Sequence, residues 1–235
     1  WDLQFGFRTE NTQTIGYSET INQTNKNNYI KLFPTLYLTY KATENSSWGL
    51  NYNKRINRPN YGDLNPFRLY SSSYNYSEGN PFLKPFYTDN IDISHNYKDF
   101  YTSIYFSYLN NGYDQVTYVS PLSISQIVKP YNFYKQKTVG FMENYVFNKI
   151  NWWESMNQMT VFYSKTLSKI EENVPTISNW AFTFNSNNTF TLNKTKTIKA
   201  ELNSNYMSPS VAGSYKVSEI YYFDAGLKLS FLEKK

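Results

Sequence analysis

The chain has 235 residues, no cysteine, and 23 basic against 18 acidic side chains, which gives a net charge of +5 at pH 7. Aromatic residues make up 20% of the chain and charged residues 17%, against about 25% charged residues in an ordinary soluble domain. This composition excludes a disordered chain, disulfides and thiolate metal sites. The basic residues are scattered along the chain and never form a stripe or a tail, which excludes the clustered footprint of a nucleic-acid-binding protein.

The ends and the hydropathy of the chain set further expectations. The sequence has no run of ~18 apolar residues that could form a transmembrane helix. It begins at Trp1 rather than at an initiator Met, and it shows no signal peptide. We therefore expect either a processed product or a piece of a longer protein.

Apolar and polar residues alternate with period two along the whole chain, and helical spacing is not sustained anywhere. In the segment 31–41, Leu36 and Leu38 share one face, whereas Thr39 lies on the other. This pattern predicts β-strands with one apolar and one polar face. We count about ten such segments.

Short polar turns alternate with longer connections between these segments. Outer-membrane barrels have short periplasmic turns and long extracellular loops, so the alternation favours an antiparallel transmembrane β-barrel over a soluble β-sandwich. The predicted short turns are 44–47, 98–99, 148–151 and 193–195, and the predicted long connections are 10–28, 58–86, 119–131, 168–178 and 208–214.

Tryptophan placement gives an independent indication of a membrane barrel. Trp48, Trp152 and Trp153 directly follow short turns, and Trp1 begins a strand that should start on the same side. Only Trp180 lies at the loop end. Aromatic residues are enriched where strands leave the hydrocarbon. The alternative is that these aromatics fill the core of a sandwich, which would require partners for many Tyr hydroxyl groups.

Charged residues within the predicted strands fall on the polar face. In a barrel this face lines the lumen, whereas Arg or Lys facing mid-membrane lipid costs ~2–4 kcal/mol. Glu143 is an exception, because it alternates with Phe141 and Tyr145 on the apolar face and indicates a bulge or an error in the assigned register. The predicted lumen-lining residues are Lys41, Arg55, Asp92, Lys199, Glu201, Asp224 and Lys228.

The first half of the chain carries motifs in a fixed order. Residues 55–67 read RINRPNYGDLNPF, residues 78–85 read EGNPFLKP, and residues 87–90 read YTDN. They resemble the RxNRPxxxxLNPF and GNPxLKPxxT patterns of the TonB-dependent-receptor-like β-barrel family of Bacteroidota-type outer membranes. Residues 6–10 (GFRTE) and 32–36 (LFPTL) are similar to that family's GLRxE and FPS segments. Phe86 departs from the pattern, which commonly has an acidic residue there.

The resemblance implies a receptor in which an N-terminal plug occupies a wide barrel and TonB energises uptake of a nutrient or metal complex. Barrels that hold a plug have about 22 strands. We therefore expect residues 1–235 to form one incomplete barrel domain that lacks the plug. Against this, the spacing of Asp224, Gly226, Leu229 and Phe231 also resembles the terminal-strand insertion signal of a complete barrel.

The long connection after Arg55 is rich in residues that fix backbone conformation. Its four prolines, Pro59, Pro66, Pro81 and Pro85, restrict φ and remove hydrogen-bond donors, and Gly79–Asn80 favours a turn. We expect a folded extracellular loop, which either contacts a ligand or partner or only packs on itself. The candidate contact residues are Arg58, Tyr61, Phe67, Tyr70, Tyr74 and Tyr76.

The sequence predicts no enzyme and no cofactor. His95, the only histidine, shares its face with Ile93 and Tyr97, whereas Ser94 points to the other face, and no spacing indicates a catalytic, metal or phosphate site. Expected partners are outer-membrane lipid and lipopolysaccharide, TonB acting through a plug outside this chain, and a surface lipoprotein. Two alternatives to uptake are a structural subunit of an assembly or secretion complex and a complete ten-stranded hydrolase that depends on His95.

Overall fold

The computed structural model describes residues 1–18, 22–119 and 124–231. The described chain is almost entirely antiparallel β-sheet and contains no helix long and apolar enough to cross a membrane. The elements are β1 (Asp2–Ser18), β2 (Gln23–Thr43), β3 (Ser46–Asn57), α1 (Tyr61–Leu64), β4 (Leu69–Tyr70), β5 (Asn75–Ser77), β6 (Phe86–Tyr97), β7 (Phe100–Val119), β8 (Gln126–Ile150), β9 (Trp153–Ser168), β10 (Ile177–Thr191), β11 (Ile198–Met207), β12 (Ser210–Ala212), β13 (Tyr215–Val217) and β14 (Ile220–Leu229).

Ten of these strands form one meander in the order β1-β2-β3-β6-β7-β8-β9-β10-β11-β14, which confirms the predicted strand number. Each strand pairs with the next long strand along the chain. The short strands β4 and β5 join the same sheet beside β8, and β12 and β13 form a separate hairpin. In the described part of the chain β1 and β14 lie at opposite ends of the sheet and do not pair with each other.

The cross-strand register joins the apolar faces of the ten strands into one surface. Leu38 lies opposite both Leu3 and Leu50, and Ile104 lies opposite both Ile93 and Phe141. None of these side chains is buried: Leu38 and Leu50 are half-buried, and 55% of Ile104 is accessible. Two sheets packed as a sandwich would bury this surface, so the sandwich alternative is wrong.

An aromatic row follows the edge of the sheet that carries the short turns, which we call the turn end; the opposite edge is the loop end. Trp48 stacks on His95 at 4.1 Å between ring centroids, and Phe147 contacts Trp153 at 4.7 Å. At the loop end Trp180 packs against Tyr163. The apolar face is therefore bordered by aromatic rings at both ends, as the tryptophan positions predict.

Glu143 belongs to the apolar face. It lies opposite Thr102 and Met159 in a stretch of β8 where the pairing is regular, so neither a bulge nor a shifted register is present there. The Thr102 hydroxyl donates to Oε2 of Glu143 at 2.7 Å. This hydrogen bond gives one oxygen of the Glu143 carboxylate a donor on the outward face.

The strands extend further than the alternation predicts, so several predicted loops are wrong. Most of the predicted connection 10–28 belongs to β1 and β2, and the connection 119–131 shrinks because β8 begins at Gln126; residues 19–21 and 120–123 lie outside the described residues. The predicted turn at 148–151 is reduced to Asn151–Trp152. Beyond the apolar band both faces of a strand meet water, so the alternation that marks a strand disappears while the hydrogen-bonded ladder continues.

The two-faced wall predicts that one added charge destabilises the protein on the apolar face and has little effect on the polar face. Ile104→Lys places an ammonium group in the middle of the apolar face and should lower the free energy of unfolding by ~2–4 kcal/mol. Asn187→Lys, on the exposed polar face, should change it little. Urea unfolding of the full-length protein in lipid vesicles measures both, and equal effects of the two variants would contradict the assignment of the faces.

Candidate functional site

The long connection between β3 and β6 is folded rather than extended. Asn60 caps α1, since its Oδ1 accepts from the Asp63 N–H at 2.9 Å. The Asp63 carbonyl in turn accepts from the N–H of Asn80 at 2.6 Å, and the Asn65 carbonyl accepts from the N–H of Gly79 at 2.9 Å. Two distant parts of the connection are therefore joined by backbone hydrogen bonds.

The connection is also fixed to the loop end of β8. Asn80 is buried, and its Nδ2 donates to the Pro130 carbonyl at 2.9 Å. The side chain of Asn132 bonds both the N–H and the carbonyl of Lys84, each at 2.8 Å. In addition β5 pairs with β8 in parallel. The predicted folded loop is thus present, and it packs on the wall.

Ion pairs reinforce this docking. Glu78 lies 2.8 Å from Lys129 and 3.1 Å from Arg68, and the Arg68 guanidinium covers the ring of Tyr76 at 4.7 Å. Burial raises the pKa of the Glu78 carboxyl, but hydrogen bonds from Lys129 and Arg68 outweigh it, and the net pKa is lowered. Glu78 therefore favours the docked connection in its ionised form.

A small hydrophobic core lies at the loop end, outside the apolar band. It consists of Val116, Phe133 and Tyr134, with Ile170 and Val174 packed against them. Burial raises the pKa of the Tyr134 phenol to about 12, with the nearby charge of Asp114 as a smaller cause. The extensions of β7 and β8 thus form a folded platform at the loop end.

The hairpin β12–β13 folds over the polar face at this end. Thr166 donates to the Gly213 carbonyl at 2.6 Å, and Ser214 donates to Oδ2 of Asp114 at 2.7 Å. Gly213 has φ of +59°, a left-handed conformation that favours glycine. The sequence predicts only a connection at 208–214; its single glycine is the one signal of a tight hairpin.

A cleft of about 410 Å³ opens between the long connection and the ends of β1 and β2. The Asn25 side chain donates to the Pro81 carbonyl and so fixes the two walls of the cleft to each other. Its surface is mainly apolar, with amide and hydroxyl groups at intervals. Its lining includes Ile15, Tyr17, Tyr61, Leu64, Pro66 and Pro81.

The six predicted contact residues do not form a single cluster. Tyr61 lines the cleft and is 92% exposed, whereas Phe67 lies over a separate hollow beside Glu78. Tyr70 and Tyr76 pack together at 5.3 Å, and Tyr74 is exposed beyond them. The remaining residue, Arg58, pairs with Glu10 of β1, and its hydrogen bond lowers the pKa of that carboxyl. Their role in contacting a ligand or partner stays a prediction.

The seven predicted lumen residues occupy the face opposite the apolar surface. Lys199 lies opposite Lys228, and Glu201 lies opposite Gly226. Asp92 accepts hydrogen bonds from Ser103 and Asn51 on the same face. Lys41, Arg55 and Asp224 complete the set. That this face lines a lumen stays a prediction.

His95 has a partner that the local sequence does not reveal. Ser46, on the neighbouring strand, places its Oγ 3.0 Å from Nε2 of His95. Among the described residues no carboxylate lies within hydrogen-bonding distance of His95, and no group of three or more acidic or histidine side chains is placed to hold a metal ion. This pair lies in the aromatic row at the turn end, away from the cleft.

The sequence matches the outer membrane protein beta-barrel family over residues 1–235. The chain belongs to this family. It is therefore an outer-membrane protein, and the exposed apolar face is the surface of the wall that contacts lipid. No curated protein matches the chain.

Solved structures show the same fold at low sequence identity. The siderophore receptor PirA from Pseudomonas aeruginosa has a TM-score of 0.64 at 13% identity, over 98% of this chain and 43% of its own. The copper transporter OprC has a TM-score of 0.61 at 12% identity, over 94% of this chain and 36% of its own. The ferric enterobactin receptor PfeA of P. aeruginosa has a TM-score of 0.57 at 17% identity, over 84% of this chain and 32% of its own. The chain thus spans less than half of each neighbour. At these identities the similarity establishes the fold alone.

Gly79 is required by the close approach of the two ends of the long connection. A Cβ at this position would lie 2.4 Å from the Asn65 carbonyl oxygen and 2.7 Å from that of Gly62. Gly79→Ala should therefore open the connection and increase its cleavage by added protease about tenfold. Gly16→Ala, where a Cβ meets nothing within 4 Å, is the matched control. Equal resistance of both variants would contradict this packing.

The Glu78 ion pairs predict acid-sensitive docking of the long connection. The pKa of Glu78 is lower in the folded state than in the unfolded state. Its ion pairs therefore stabilise the docked connection fully above the unfolded-state pKa, and this stabilisation is lost as the pH falls through the folded-state pKa. Hydrogen exchange of β5, corrected for intrinsic rates, should therefore increase below about pH 4. Glu78→Gln should exchange faster at neutral pH and lose this pH dependence. A pH profile unchanged by the substitution would assign the effect to another group.

Proposed function

We propose that this chain is the barrel wall and part of the extracellular mouth of a TonB-dependent-receptor-like importer, which takes up a nutrient or metal complex across the outer membrane. The observation that carries the proposal is the two-faced wall itself. Its outward face is largely apolar, its opposite face holds Asp92 and the other six predicted lumen residues, and its fold is that of proteins named as a siderophore receptor and a copper transporter. A Bacteroidota-type receptor of this group fits the motifs in residues 55–90.

The sheet order supports a larger barrel than ten strands. Within the described residues, β1 and β14 each have a paired strand on one side only. In hydrocarbon an unpaired row of backbone N–H and carbonyl groups is costly, which supports a wider ring in which further strands pair with β1 and β14. In that barrel the polar face would surround a plug, through which TonB would act.

The cleft at the loop end is the proposed contact site of the mouth. It combines apolar surface with a few fixed polar groups, the composition of a small-molecule site. Tyr61 supplies its most exposed aromatic ring. A metal chelate with organic groups fits this chemistry, and a surface lipoprotein is the alternative occupant. No observation on this chain favours the structural-subunit alternative.

Energised uptake tests the proposal. Cells of the native host that lack the gene should lose uptake of one metal supplied as a chelate, measured as cellular metal content, and cells that lack TonB should show the same loss. Complementation with the gene should restore uptake. Unchanged content of iron and copper across all supplied chelates would overturn uptake of a metal complex. Loss of a stably co-purifying secretion complex in the same cells would favour the structural role.

Within this proposal, Tyr61 is predicted to contact the substrate. Tyr61→Ala should raise the substrate concentration for half-maximal uptake about tenfold, because a central aromatic contact is lost. Tyr74→Ala removes another exposed ring, 64% accessible against 92% for Tyr61, that does not line the cleft, and it should leave uptake unchanged. Identical uptake by the two variants would remove the cleft from the transport route.

A further inference from the structure

Two lysines lie side by side on the lipid-facing surface. Lys137 of β8 and Lys165 of β9 are directly opposite each other in the antiparallel register. The next pair on the same face is Val139 with Tyr163, followed by Phe141 with Val161. Both ammonium groups therefore extend from the apolar face, not from the polar one.

These two charges are not compensated by the chain. They belong to one cross-strand row, in which Lys54 pairs with Asp89 at 3.1 Å, whereas neither Lys137 nor Lys165 forms an ion pair with a described residue. Like charges directly opposite each other destabilise a strand pair. An anion from outside the chain would remove this repulsion. The row runs Lys54, Asp89, Tyr108, Lys137, Lys165, Ser178.

The position of the two lysines between the turn end and the loop end indicates which anion they contact. Phe147, in the aromatic row of the turn end, lies ten residues after Lys137 in β8. At ~3.4 Å per residue and a tilt of ~40°, this separation spans about 26 Å, close to the ~25 Å apolar band of a barrel. At this level Tyr163 and the exposed Trp180 form the aromatic border of the loop end. The lysines therefore lie at the level of the lipid headgroups.

We propose that Lys137 and Lys165 bind a phosphate of lipopolysaccharide, the phosphorylated glycolipid of the outer leaflet. Two ammonium groups on adjacent strands can donate to the oxygens of one phosphate, and their long stems lie along the apolar wall while the charges reach the headgroup region. The indole of Trp180 beside them offers a flat apolar face for a sugar ring. The site rests on the proposed orientation, with the loop end extracellular, and is independent of transport.

Lipid that co-purifies with the full-length protein tests this site. The protein is extracted from outer membranes in mild detergent, and bound lipopolysaccharide is counted by native mass spectrometry. The double variant Lys137→Gln/Lys165→Gln should retain about tenfold less than the unsubstituted protein. The control is Lys199→Gln/Lys228→Gln, which removes another directly opposed lysine pair, on the polar face, and should retain the full amount.

Three results would overturn the proposal. The first is full retention of lipopolysaccharide by Lys137→Gln/Lys165→Gln, and the second is an equal loss in the polar-face control, which would indicate a general effect of net charge. The third is equally tight binding of delipidated protein to phosphatidylglycerol, which would assign the pair to any phosphate headgroup. Metal uptake is measured separately in the same cells, so failure of the transport proposal would leave the lipid result unaffected.

Discussion

Backbone hydrogen bonding in the absence of water is the constraint on which this structure depends. A strand that faces hydrocarbon must satisfy its N–H and carbonyl groups on neighbouring strands. In this chain each long strand pairs with the next long one along the sequence, so the ladder is built from local hairpins. A shift of one residue would turn Leu38 inward and Lys41 toward lipid, so the alternation also fixes the register.

The same constraint explains where charge is tolerated. Charges on the polar face, such as Asp92, bond to neighbouring side chains. On the lipid-facing side the ionisable groups either have partners or lie at the border of the band. Glu143 accepts from Thr102, Lys54 pairs with Asp89, and the unpaired lysines occupy the headgroup level.

How much the sequence predicts depends on how local the determining interactions are. The faces of the ten strands follow from period-two alternation, and the folded state of the long connection follows from its prolines and Gly79. Its position does not, because Asn80 bonds to Pro130, fifty residues away, and nothing near either residue indicates the other. The sequence predicts loops where the strands extend beyond the band, because water on both sides removes the alternation. The cleft could not be predicted from Tyr61 alone, because its other wall is formed by the ends of β1 and β2, which are distant in the sequence.

Accessibility of the two faces in a native membrane measures the central claim most directly. Spin labels at Leu36, Ile104 and Leu227 of the full-length protein in outer-membrane vesicles should collide with dissolved oxygen and be shielded from a water-soluble nickel chelate. Labels at Lys41 and Glu201 should show the opposite preference. If labels on both faces were equally shielded from the chelate and from lipid-dissolved oxygen, the wall would be buried between sheets, and the assignment of a lipid-facing surface would be wrong.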